Sequence, residues 1–194
     1  KALDVKNSGS SFYIADQSTG YQIGSGDFLI NFTFENDLSV TSHPVNIGSR
    51  AFPNDNGRVT MWVRDSGDLV FAINDSTNAQ SKTLSGFVQA NKTYTVTLLR
   101  HNGTGYIYIN GELETSFTAN LTINNNDVII IGQRDDLNDD PWSGWIDELR
   151  IYNINSYSFG EVESLIKSLY TTPSGTSGGL ISANTMRTGE LVSQ

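Results

Sequence analysis

The stretch TYTVTLLRHNGTGYIYINGE, Thr93 to Glu112, decides the fold. Tyr94, Val96 and Leu98 alternate with Thr95 and Thr97, a period of two that lays apolar side chains on one face of an extended strand. Asn102-Gly103 interrupts the alternation and GYIYI resumes it. Asn and Gly both tolerate the positive φ that a two-residue hairpin needs, so the pair predicts an antiparallel turn. Asn110-Gly111 marks a second tight turn a few residues on.

The same grammar runs outward in both directions. FLINFTF sets Phe28, Ile30, Phe32 and Phe34 on one face and Leu29, Asn31 and Thr33 on the other. RVTMWV and DLVFAI flank Ser66-Gly67, another hairpin signal, and DVIIIG is a further short β-rich run. About a dozen strands at this spacing predict an all-β, antiparallel sandwich. Trp62 and Trp145 alternate within strands and are expected in its core. One segment has a different period. Ser158 precedes Glu161 by three, a capping-box spacing, and Val162, Leu165, Ile166 and Leu169 follow with helical recurrence. This predicts one short amphipathic helix, about Phe159 to Tyr170. TTPSGTSGGL after it is linker-like, so residues 1–170 form the domain and residues 171–194 a linker or C-terminal tail.

Composition narrows the partners. The net charge is −9 and the pI about 4.5, so nucleic acid and anionic membrane surfaces are repelled. No apolar run is long enough to span a bilayer. With no cysteine, disulfides, zinc-thiolate sites and thiol nucleophiles are excluded. The start at Lys1, without a leader, is expected of a piece of a longer or processed protein. Asn-x-Ser/Thr triplets at Asn31, Asn74, Asn91, Asn102 and Asn120 are about as frequent as the Ser and Thr content produces by chance.

Several pieces, in order, resemble the laminin-G-like, concanavalin A-type jelly roll, closest in style to the pentraxin branch. They are Tyr108-Ile109-Asn110-Gly111-Glu112, Ile131-Gly132-Gln133, Gly144-Trp145-Ile146-Asp147-Glu148, and the run from Glu161-Val162 to Leu169-Tyr170. The resemblance covers roughly residues 1–170 and implies a jelly-roll sandwich with one short C-terminal helix. It also implies calcium. Pentraxins bind it with an Asp-Asn pair before one strand, here Asp55-Asn56, and with acidic residues after the Gly-Gln, here Asp135 and Asp136 with Asp139 or Asp140 as the later ligand. Arg134 stands where pentraxins carry a glutamate ligand, and their disulfide is missing. Relatives of the fold also hold a structural calcium near the aspartate matching Asp147 and the first strand, where Asp4 sits.

The residues support that expectation by their own chemistry. Residues 135–140 hold four aspartates, Asp135, Asp136, Asp139 and Asp140. Calcium takes about six to eight oxygens and would relieve their mutual repulsion; a plainly solvated acidic loop is the alternative. Asp147 alternates with apolar Trp145, Leu149 and Ile151, and a carboxylate on a buried face needs a partner, Arg150 or backbone amides, or a metal. Trp142 follows Pro141 in the acidic loop, and Phe52 lies in the loop expected to face it. With Arg50, Arg134 and Asn54 they form a candidate sugar-binding rim, unless Trp142 folds back to cap the core. Catalysis is not expected. A retaining glycosidase needs two carboxyls about 5–5.5 Å apart, patterned E-x-D-x-(x)-E, and Trp145 occupies the first of those positions.

These observations predict a non-catalytic module, extracellular or on a cell or virion surface. It would bind a carbohydrate or glycosylated receptor with calcium assistance. The alternative is an architectural domain of a virion or surface protein, with the tail joining copies into a homo-oligomer.

Overall fold

The computed structural model describes residues 3–4, 12–15, 24–48, 57–75, 77–123, 128–133 and 141–171. Twelve strands and one helix lie among them: β1 (Leu3–Asp4), β2 (Phe12–Ala15), β3 (Phe28–Asn36), β4 (Ser42–Gly48), β5 (Arg58–Val63), β6 (Leu69–Asn74), β7 (Ala79–Leu84), β8 (Lys92–His101), β9 (Thr104–Ile109), β10 (Glu112–Thr118), β11 (Val128–Ile131), β12 (Gly144–Asn153) and α1 (Phe159–Thr171). The first sheet runs β1-β12-β3-β8-β9-β10 and the second β2-β11-β4-β5-β6-β7, with neighbouring strands antiparallel throughout. This is the expected jelly-roll sandwich.

The hairpins form where the turn residues predict them. Asn102 and Gly103 take φ of 49° and 72°, and Asn110 and Gly111 take 53° and 84°. These values suit the mirror-image turns that match strand twist. The Asn110 side chain also accepts the Thr95 amide at 3.0 Å, fixing this turn to β8.

Alternation then sorts the side chains. Phe28, Ile30, Phe32 and Phe34 of β3 meet Val45, Ile47, Val59, Met61, Phe71 and Ile73 of the second sheet in the core between the layers. A second, smaller cluster lies on the outward face of the first sheet. There Leu29, Leu99 and Tyr108 receive Ile154, Val162 and Ile166, so α1 covers part of that face. Burial, with Glu163 and Tyr106 nearby, pushes the Tyr108 hydroxyl up to about 12. The predicted capping box starts the helix: the Ser158 amide and hydroxyl donate to one Glu161 oxygen at 2.8 and 2.7 Å.

The layers are fastened at their margins by polar groups. Arg100 is buried, and its guanidinium donates to the carbonyls of Gly24, Gly26 and Leu121 while lying over the Phe28 ring. Gln80 and Asn120 exchange two hydrogen bonds of 2.7 and 2.9 Å across the open edge. Among the described residues no helix is long and apolar enough to cross a membrane. The predicted tail lies outside the described residues, apart from Thr171.

Candidate functional site

Two β-bulges decide which side chains face outward. In β12, Asp147 pairs with Thr33 and Arg150 with Asn31, so Glu148 and Leu149 together oppose Phe32. Glu148 carries the extra residue at φ 55°. Unbroken alternation puts Trp145, Asp147, Leu149 and Ile151 on one buried face. The bulge splits that set. Leu149 and Ile151 join the core, while Trp145 and Asp147 sit in register with the outward residues Glu35 and Thr33. Asp147 is therefore not on the buried face. One of its oxygens accepts the Glu148 amide at 2.9 Å, and Arg150 bonds Glu148 at 2.7 Å instead.

The second bulge is in β4. Ser42 pairs with Val63 and Val45 with Met61, leaving His43 and Pro44 both opposite Trp62. A proline, which lacks an amide donor, is tolerated at such an irregularity. The His43 ring stacks on Trp62 with centroids 5.7 Å apart and planes 29° apart. Trp62 is only partly buried and lies on the outward face, contrary to the core position expected. Its phase was readable: Val59, Met61 and Val63 match Ile73, Phe71 and Leu69 cross-strand, which leaves Thr60 and Trp62 for the other side.

The outward side of the second sheet thus carries polar and aromatic side chains among small and apolar ones. One row across it is Ile130, Asn46, Thr60, Ala72 and Ser81, each paired with the next. Beside it run Trp62, Val70 and Thr83 on one side, and Gly48, Arg58, Asn74 and Ala79 on the other. Ile130, Asn46, Thr60 and Ala72 are buried although they face away from the core. The Asn46 side chain is 1 % exposed, and neither its Nδ2 nor its Oδ1 has a hydrogen-bond partner; Asn74 Oδ1 is a second buried acceptor without one. Leaving such groups unpaired costs about 1–3 kcal/mol each, so this face is costly to the free protein.

The predicted rim fares differently. Arg50, Phe52, Asn54, Asp55, Asn56, Arg134, Asp135, Asp136, Asp139 and Asp140 lie outside the described residues. Trp142 is described, and it is no rim residue: 2 % exposed, it packs edge-on against Phe34 at 5.3 Å, and its indole N–H points to the Trp145 carbonyl at 3.4 Å. The Trp142 amide donates to the Gly132 carbonyl at 2.8 Å, pinning the loop end to β11. A ring enclosed this way has no face left for a sugar. Asp4 and Asp147 are brought to paired strands, with Asp4 opposite Trp145. Among the described residues no group of three or more His, Asp or Glu side chains gathers as a metal site.

The geometry defines a class: a two-sheet jelly roll with a helix over one sheet and a polar, aromatic face on the other. The chain belongs to the laminin-G-like family described as the concanavalin A-like lectin/glucanases superfamily, whose profile matches residues 8–156. A comparison with curated proteins gives no match. Among solved structures the chain is similar to the botulinum neurotoxin serotype D binding domain (TM-score 0.65, 16% identity), covering 87% of this chain and 42% of that one. It therefore spans less than half of the toxin domain's length. It is also similar to the CBM40 of a Ruminococcus gnavus IT-sialidase bound to α2,3-sialyllactose (TM-score 0.58, 14% identity, 82% of this chain and 99% of that one). A third is a heptameric SAP-like pentraxin from Limulus polyphemus (TM-score 0.57, 12% identity, 85% and 80%). At these identities the likeness is one of fold.

Proposed function

We propose that the chain is a non-catalytic carbohydrate-binding module of an extracellular or surface protein. The observation that carries this reading is the outward-facing Trp62, braced by His43, on a sheet face that also carries Asn46, Arg58 and Asn74. A braced indole stacks on the apolar face of a sugar ring, while neighbouring amides and a guanidinium bond its hydroxyls. The sialyllactose held by the Ruminococcus gnavus module supports the ligand class by likeness of fold. The test is a glycan array read with the native chain and with Trp62→Ala. Binding that the variant loses, at an unchanged melting temperature, supports the module; an array blank for the native chain overturns it.

Calcium at the acidic loop is part of the same proposal. Asp135, Asp136 and Asp140, with Asp55 and Asn56, have the hard-oxygen chemistry the ion takes, and the ion would neutralise their charge. Asp4 and Asp147 are the candidates for a second, structural ion. Thermal unfolding with calcium against a chelator is expected to show a rise of several degrees that Asp136→Ala removes. An equal melting temperature in both conditions overturns the calcium part and leaves the sheet face untouched.

A further inference from the structure

We infer that the Trp62 surface takes neutral sugars and turns acidic ones away, with Arg64 and Asp68 reading hydroxyls beside the indole. This rests on the carbohydrate-binding reading above and specifies the charge class of the sugar.

Arg64 and Asp68 close the hairpin that carries Trp62. Val63 and Leu69 are paired in the core, so alternation turns Trp62, Arg64, Asp68 and Val70 to the outward side. Two residues, about 7 Å along a strand, separate Trp62 from Arg64. The Arg64 amide donates to the Asp68 carbonyl and the Gly67 amide to the Arg64 carbonyl, each at 2.9 Å, with Gly67 at φ 82°. The Val88 amide donates to the Gly67 carbonyl at 2.9 Å, and the Gly86 amide to Asp68 Oδ1 at 2.8 Å. The hairpin end is therefore fixed before a ligand arrives.

This end of the sheet is also open. Arg64, Asp65, Ser66, Ser85 and Gly86 are exposed, and Trp62 and Thr83 partly so, whereas Thr60 and Ala72 further along the same side are buried. Arg64 Nη1 lies 3.3 Å from Asp68 Oδ2, and the two side chains keep 47% and 19% exposure. A guanidinium carries five donors and each carboxylate oxygen two lone pairs, so the pair retains both kinds of group for a ligand. With a sugar ring resting on Trp62, one hydroxyl oxygen accepts from Arg64 and another hydroxyl donates to Asp68.

Charge decides the class of sugar. Asp68 already neutralises Arg64, and Asp65 stands exposed beside them, so one arginine against two aspartates leaves the hairpin end net negative on a chain of charge −9. The Gly86 amide holds the Asp68 carboxyl below its ordinary range, which keeps it an anion at neutral pH. Lys82 on the next strand pairs in register with Phe71 and so lies on the core side, and Arg58 is at the far end of β5. A sialic acid, uronic acid or sulfate brought to Arg64 would have to displace one carboxylate and lie close to another. A neutral sugar meets no such repulsion. In this the chain departs from the sialidase module that holds sialyllactose.

The experiment is an array of glycans in matched pairs, each with and without its sialic acid, uronic acid or sulfate, read at low and high salt. For the native chain the neutral member of each bound pair is expected to bind about fivefold or more tighter, and the gap should shrink at high salt. Asp65→Asn combined with Asp68→Asn should narrow or reverse the preference. Arg64→Ala should weaken neutral binding about tenfold. Melting temperatures of the variants show whether the hairpin survives; the matched pairs on the native chain decide the question without any substitution. Equal or tighter binding of the acidic members overturns the inference and leaves carbohydrate binding standing. A preference that salt does not move reports size rather than charge and overturns it too, as does one that the aspartate variant leaves intact. An array blank for the native chain removes the carbohydrate reading itself.

Discussion

Asn31 and Asn46 occupy matching places on the two sheets. Each lies on an interior strand between two core-facing neighbours, each turns its amide outward, and each is buried, at 2 % and 1 % exposure. Their surroundings differ. Asn31 Nδ2 donates to Thr97 Oγ1 at 2.9 Å and to the Val96 carbonyl at 3.3 Å, and its Oδ1 accepts from Arg150 at 3.4 Å. Asn46 has none of these. The first sheet pairs Asn31 across its strands and lets α1 cover the adjoining Leu29, Leu99 and Tyr108, whose hydroxyl is buried there without a partner. The second leaves an amide unpaired beside a half-open tryptophan. A buried amide that is satisfied is architecture; one that is not is a standing preference for something that would satisfy it.

The largest expected effect separates the two tryptophans that the sequence invites one to exchange. Trp142→Ala should cost about 3–5 kcal/mol, because it removes a ring enclosed by the core and its edge-on contact with Phe34. Trp62→Ala should leave stability nearly unchanged and affect glycan binding. Chemical denaturation of both variants checks this, and equal losses would erase the distinction between a core indole and a binding indole.

Next in size is Asn31→Leu. It removes the side-chain partner of the Thr97 hydroxyl and one contact of Arg150, whose pair with Glu148 remains, and should cost about 1–3 kcal/mol. The same change at Asn46 is expected to move stability the other way. Opposite signs for one substitution at two matching positions would make the comparison quantitative; a loss of similar size at both would reduce it to two structural asparagines.

How far the sequence could anticipate this follows from the range of each signal. The Asn-Gly hairpins, the alternation of β3 and β8 and the Ser158 capping box are local, carried by residues a few positions apart, and all form where the pattern places them. The bulges at His43-Pro44 and Glu148-Leu149 are not local in that sense. Each inserts one residue against a partner strand far away in the chain and reverses the facing of everything beyond it. For that reason Asp147 was expected on the wrong face. Trp142 stays open between rim and core cap in the sequence for a related reason: proximity to charge marks a loop, but whether the loop folds inward depends on the gap beside Phe34, which only the assembled layers create. The outward face with Asn46 was missed entirely, although matching Val59, Met61 and Val63 against Leu69, Phe71 and Ile73 would have exposed it.

The smallest expected effect probes the helix that distinguishes the two faces. Ser158→Ala removes the hydroxyl half of the capping box and should cost about 1 kcal/mol or less. The Ser158 hydroxyl and then its amide hold the Glu161 carboxyl below its ordinary range, so the folded state binds that proton less readily than the unfolded chain. The stabilisation is therefore present above the usual carboxylate range and is lost as pH falls through the lowered value. Melting temperatures of the native chain and Glu161→Gln should differ near neutrality and converge in acid. Because α1 covers Leu29, Leu99 and Tyr108 on the first sheet alone, loosening it should leave glycan affinity at the second sheet unaltered. A fall in affinity with Ser158→Ala would mean that the two outward faces are coupled through the core.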